Sequence, residues 1–183
     1  MPTVAILVAG AGTGPAPRTT DAAPTASLDA GPVLVPVPVD SARITPRNLV
    51  VALPEGVAPE QGLQVKTILA ARAVSKTFPE ILNIGGVRAD ALKWHPNGMA
   101  IDVMIPNYTT PEGKALGDRV VAYVLEHADR LGVHHVIFRQ EIHSRKGTRL
   151  MADRGSATAN HYDHVHIATN GGGFPTGSET YLM

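Results

Sequence analysis

The chain has no cysteine. That excludes disulfides and thiolate metal sites, and leaves imidazole and carboxylate as the ligands a metal would find. An excess of one charge is also missing: sixteen Lys and Arg stand against sixteen Asp and Glu, with no basic run among them. A nucleic-acid partner needs a cationic stripe, so that class of function is set aside. Nor does any apolar run approach the about twenty residues of a membrane helix, so no transmembrane span is expected.

What is present divides the chain. Residues 4–10 (VAILVAG) form a short apolar stretch followed by small residues and Pro, which reads as the core of an export signal without its positively charged start. Residues 11–46 are rich in Ala, Pro, Thr and Gly and include VPVPV at 35–39. Proline removes backbone donors and glycine raises the entropy lost on ordering, so residues 1–50 read as an apolar N-terminus and a disordered, extended linker. The folded domain is expected over 55–170, followed by a Gly-rich tail at 171–183.

Within the domain, Val65, Ile68, Leu69 and Ala73 lie on one stripe of a helix over 63–78 that Pro79 ends. Residues 81–87 read as a short strand broken by Gly85-Gly86. In the next strand Ile101, Val103 and Ile105 alternate with Ala100, Asp102 and Met104. Thr110 is a good N-cap with Pro111 behind it, and Gly132 sits where a helix stops, so one long helix is expected between them. A strand over 133–138 follows, with 140–143 as its hairpin partner and a polar loop over 144–160. The order predicts an α+β domain: a mostly antiparallel sheet flanked by helices.

Three of the eight histidines fall in His161-Tyr162-Asp163-His164-Val165-His166-Ile167. On an extended strand His164 and His166 project from one face, and Val165 and Ile167 from the other. Neutral imidazole is the commonest protein ligand for zinc and related metals, so the pattern raises the question of a metal. Upstream, Asp102 occupies the polar face of an otherwise apolar strand, and a buried carboxylate must be paired, hydrogen-bonded or bound to a cation. Pairing with Arg88 would satisfy it. A turn at Gly98 would alternatively swing His95 back towards it. If the two strands are neighbours, His95, Asp102 and His166 converge, leaving a tetrahedral position for water, the arrangement of catalytic rather than structural zinc. His127, His134, His135 and His143 read as structural or surface residues, His143 being the nearest to a site neighbour.

The run His95-x-x-Gly98-x-Ala100-x-Asp102, followed by His164-x-His166, resembles the LAS-type zinc peptidases. These include D-Ala-D-Ala carboxypeptidases, lysostaphin-type enzymes and penicillin-insensitive murein endopeptidases, with the hedgehog signalling domain as a relative. The spacing His161-x-x-His164-x-His166 is most similar to the murein endopeptidase branch. Residues 153–166 are similar to a run carried by an actinobacterial secreted family. The resemblance implies a hedgehog/DD-peptidase-like fold with zinc on His95, Asp102 and His166, and His164 acting beside the metal on water or oxyanion. It also implies that His161 lines the site and that Arg88, in Gly86-Val87-Arg88, holds substrate. Asp163 stands near the place where carboxypeptidase members often supply a glutamate base, and is a candidate to orient a ligand imidazole. The function implied is a zinc-dependent peptidase or amidase acting on peptidoglycan peptides, secreted or in the cell wall. The alternative is a catalytically inactive, zinc-stabilised binding module of the cell envelope.

Overall fold

The structure, a computed structural model, describes residues 50–183. The signal-like stretch and the Ala/Pro-rich linker through residue 49 lie outside the described residues. The elements run α1 (Val65–Thr77), β1 (Ile84–Gly85), β2 (Ala100–Met104), α2 (Pro111–Glu126), α3 (Ala128–Leu131), β3 (Val133–Phe138), β4 (Glu141–Ser144), β5 (Gly147–Leu150) and β6 (His164–Thr169). All six strands form one antiparallel sheet in the order β1-β2-β6-β3-β4-β5. The expected α+β class is the one observed.

Strand alternation divides the sheet. Ile101, Val103, Val136, Val165 and Ile167 turn to one face and are wholly buried with apolar residues of α1 and α2. Completely burying a side chain of this size contributes about 1.5–3 kcal/mol, so this face anchors β2, β3 and β6. Thr67 on α1 and Thr169 on β6 share a buried hydroxyl–hydroxyl hydrogen bond of 2.8 Å across the same layer. Helix α2 comes so near the sheet at Gly117 that a Cβ there would strike the Phe138 ring. The opposite face carries the polar side chains of the site, and among the described residues no helix crosses it.

Three details differ from the expectation. The helix after Thr110 does not run unbroken to Gly132: it stops at Glu126, His127 takes φ −99° and ψ 17°, and a short α3 follows. The bend brings Leu131 fully into the core before Gly132, with φ +66°, closes the turn. Within the presumed loop 144–160, Gly147–Leu150 is a sheet-edge strand paired with β4. All four of its residues are exposed, so it carries no apolar alternation to announce it. Finally, the Gly-rich C-terminal segment returns to the domain: Ala52 bridges Leu182, Val51 N donates to Met183 O (2.7 Å), and Tyr181 is buried in the core cluster.

Candidate metal centre

Strand β6 lies between β2 and β3, and its register sets Asp102 directly opposite His166 and Met104 opposite His164. Both histidines therefore share the open face with Asp102. His95 arrives from the loop before β2. Gly98, at φ +65°, packs so closely on the Gly62 carbonyl that a Cβ would collide with it. That glycine turn folds the loop back and buries the His95 ring, which is 1% exposed.

One ligand atom from each of His95, Asp102 and His166 lies within 4.8 Å of the other two, and all three residues are buried. His166 Nδ1 is 2.9 Å from Asp102 Oδ1, and His95 Nε2 is 3.2 Å from that oxygen and from His166 Nδ1. The tautomers show what such a cluster needs. His95 Nδ1 donates to the Gly86 carbonyl at 2.9 Å, so a neutral His95 turns the lone pair of Nε2 inward. A proton on His166 Nδ1 would satisfy its contact with Asp102 but leave the His95 lone pair facing a carboxylate oxygen. A cation held by the three would take one donor atom from each and relieve these contacts. Tetrahedral bonds of about 2.0 Å would set donor atoms about 3.3 Å apart, close to the spacing found. The donor set fits a divalent metal.

The electrostatics agree. Burial alone would raise the Asp102 pKa, but the imidazoles of His166, His95 and His164 outweigh it and hold the carboxyl far below its usual range. Arg88 Nη2 donates to Asp102 Oδ2 at 2.9 Å while Nη1 donates to Asp90 Oδ2 at 2.7 Å. Asp102 thus has both partners raised by its sequence: the arginine on one oxygen and the imidazoles on the other. Burial lowers the His166 pKa, opposed by Asp102, and favours the neutral form a metal requires.

His164 stands beside the triad, with Nε2 3.6 Å from Asp102 Oδ1. Its Nδ1 donates to Asp163 Oδ1 at 2.7 Å, and Asp163 Oδ2 accepts from Thr158 Oγ1 at 2.6 Å. Asp163 therefore orients His164 and neither of the two triad imidazoles. The loop before β6 is held by its own side chains and by the backbone after β3: Asn160 donates to Asp153 (2.6 Å), and Arg139 N donates to the His161 carbonyl (2.8 Å). It presents His161 at φ +58° with its ring 4.8 Å from that of His164 and 5.6 Å from that of His166. His161 Nδ1 is buried without a hydrogen-bond partner among the described residues. Burial, with the field of His164 and His166, lowers the His161 pKa to about 4. His161 thus brings a neutral imidazole beside the triad, with its buried Nδ1 unpartnered among the described residues.

His135 is a site residue that the reading of the sequence passed over. Its ring lies 5.5 Å from that of His166, and burial is the first cause lowering its pKa to about 4. The reason is a register shift in β3: Val133 faces Thr169 and His135 already faces Ala168, which leaves His134 as an extra residue. Strict alternation would send His135 to the core, and the bulge turns it outward instead. Trp94 packs on both histidines, 4.6 Å from His134 and 5.0 Å from His135. His143 stays away, its Nδ1 2.9 Å from Thr148 Oγ1. The triad, His161, His164 and His135 line one open groove of about 1180 Å³.

Among the described residues no helix is long and apolar enough to cross a membrane. Comparison with curated proteins and with solved structures finds no match. The family model described as VldE, C-terminal domain, matches residues 59–162, a span that includes Arg88, His95, Asp102 and His161 and ends before His164 and His166. Since that span is more than half of the chain, the protein belongs to the VldE C-terminal domain family.

Proposed function

We propose that the protein is a zinc-dependent peptidase or amidase of the LAS type, acting on peptidoglycan peptides outside the cytoplasm. The observation that carries this reading is the convergence of His95 Nε2, Asp102 Oδ1 and His166 Nδ1 beside a third, oriented imidazole, that of His164, in an open groove. Three protein ligands with one free position characterise catalytic zinc, whereas structural zinc takes all four. Zinc held there supplies a Lewis acid and lowers the pKa of a water to about 7.

The chain's own residues divide the remaining work. With its Nδ1 proton committed to Asp163, His164 offers the Nε2 lone pair towards the site and accepts a proton from water. Its imidazolium is then stabilised by Asp163 and returns the proton to the leaving amine. To His161, whose ring lies beside those of His164 and His166, falls a hydrogen bond to the scissile carbonyl or the leaving group. Arg88 acts first on Asp102, neutralising the carboxylate oxygen that faces away from the imidazoles. A grip on substrate by Arg88 uses the donors that Asp90 and Asp102 leave free.

Purified protein incubated with peptidoglycan should release soluble fragments, and a chelator should abolish the release until zinc is restored. Stoichiometric zinc with no fragment release from any peptidoglycan would overturn the hydrolase and leave the inactive, zinc-stabilised binding module.

A further inference from the structure

The site face carries one cross-strand row that extends well beyond the triad. Register sets Asp102 opposite His166, His166 opposite Ile137, Ile137 opposite Ile142, and Ile142 opposite Arg149. Opposed residues in adjacent strands share a face, so the row reads ligand, ligand, isoleucine, isoleucine, arginine across five strands. Both isoleucines and Arg149 line the groove that contains the triad. Strands lie about 4.8 Å apart, so Arg149 stands on the order of 14 Å from His166. That span equals about four residues of extended peptide at about 3.3 Å each.

The cations near that end are not equivalent. Arg145 is paired with Asp129, and Arg88, at the other end, with Asp90 and Asp102. Arg149 forms no ion pair with a described residue, and neither do its groove neighbours Lys146 and Arg154.

We propose that Arg149 is a substrate-specificity residue: the groove takes an extended peptide across the strands, its apolar part over Ile137 and Ile142 and a carboxylate on the Arg149 guanidinium. The proposal rests on the hydrolase reading only for the place of the cut, which would fall about four residues from that carboxylate. The sheet register, the apolar floor and the unpaired cation are independent of it.

The test uses N-acetylated penta-alanine as the free acid and as the C-terminal amide. Binding is read from the fluorescence of Trp94, the only tryptophan and a residue of the groove wall. Zinc-loaded and chelator-treated protein are both titrated. Wild type should bind the acid about fivefold more tightly than the amide, as a largely exposed charge pair allows. The preference should shrink as salt is raised. Arg149→Gln should bind both peptides equally, and Arg149→Lys should retain part of the preference, each with unchanged zinc content. Equal binding of acid and amide by wild type, no binding of either, or a preference that survives in R149Q overturns the subsite. An Arg149-dependent preference without cleavage of any peptidoglycan peptide retires the hydrolase and keeps the subsite. Cleavage with no preference for the acid does the reverse.

Discussion

His95 owes its role to one hydrogen bond. Donation from Nδ1 to the Gly86 carbonyl commits that nitrogen, so in the neutral ring Nε2 meets Asp102 and His166 as a lone pair. Imidazoles that bind metals are commonly fixed in this way by an acceptor on the far nitrogen. His164 is fixed alike by Asp163 but lies outside the triad, and the two kinds of histidine should separate experimentally. His166→Ala should lose bound zinc by metal quantification, and turnover with it. His164→Ala should keep stoichiometric zinc while fragment release falls by about 10²–10⁴-fold. If H164A lost the metal as completely as H166A, His164 would be a ligand and its assignment as proton carrier would fail. Spacing alone brought both histidines to attention, because a period of two puts them on one face. Their division of labour was illegible there, since it depends on which neighbour each ring nitrogen meets after folding.

At the scale of elements, strand and helix periodicity was readable wherever one face is buried. Helix α1, strand β2, the Thr110 cap of α2 and strand β6 all fall where apolar spacing places them. Thr110 Oγ1 accepts from Gly113 N at 3.1 Å, so Thr110→Ala should lower stability by about 1 kcal/mol in chemical denaturation. Ile167→Ala removes a completely buried side chain from the central strand and should cost about 2–5 kcal/mol, with the midpoint shifted and the slope unchanged. Strand β5 has no buried face to betray it, and the bulge at His134 breaks the alternation on which any reading of β3 depends. The C-terminal segment escaped notice for a related reason: its glycines suggest a tail, while its docking rests on backbone hydrogen bonds to Val51 and Leu53. Glu179 accepts from the Thr176 and Gly177 amides, which lowers its pKa from 4.5 to about 2. An acid whose folded pKa is depressed adds stability in full above 4.5, and loses it as pH falls through about 2. The Glu179 carboxyl resonance should therefore titrate near 2. A midpoint at the ordinary value would mean that the turn is not formed in solution.

For the whole molecule, the triad ties the loop before β2 to strands β2 and β6, so metal and fold should be coupled. A ligand that binds only the folded state stabilises it by about 4 kcal/mol at a thousandfold excess over its dissociation constant. Chelation should lower the melting temperature of the wild type and leave that of His166→Ala unmoved. Equal shifts in both would show that the chelator acts elsewhere. The sequence by itself determined the α+β class, the strand faces and the residue types available to a metal. Each follows from local periodicity and from the chemistry of side chains in a chain without cysteine. Only the tertiary structure decided that β6 enters between β2 and β3. This placement brings residues 71 and 64 positions apart within 3.2 and 2.9 Å, carries His135 to the same groove and sets Arg149 at its far end. Strand order and register are non-local: they are chosen by how the apolar faces pack together, and a bulge of one residue is enough to change which side chains meet.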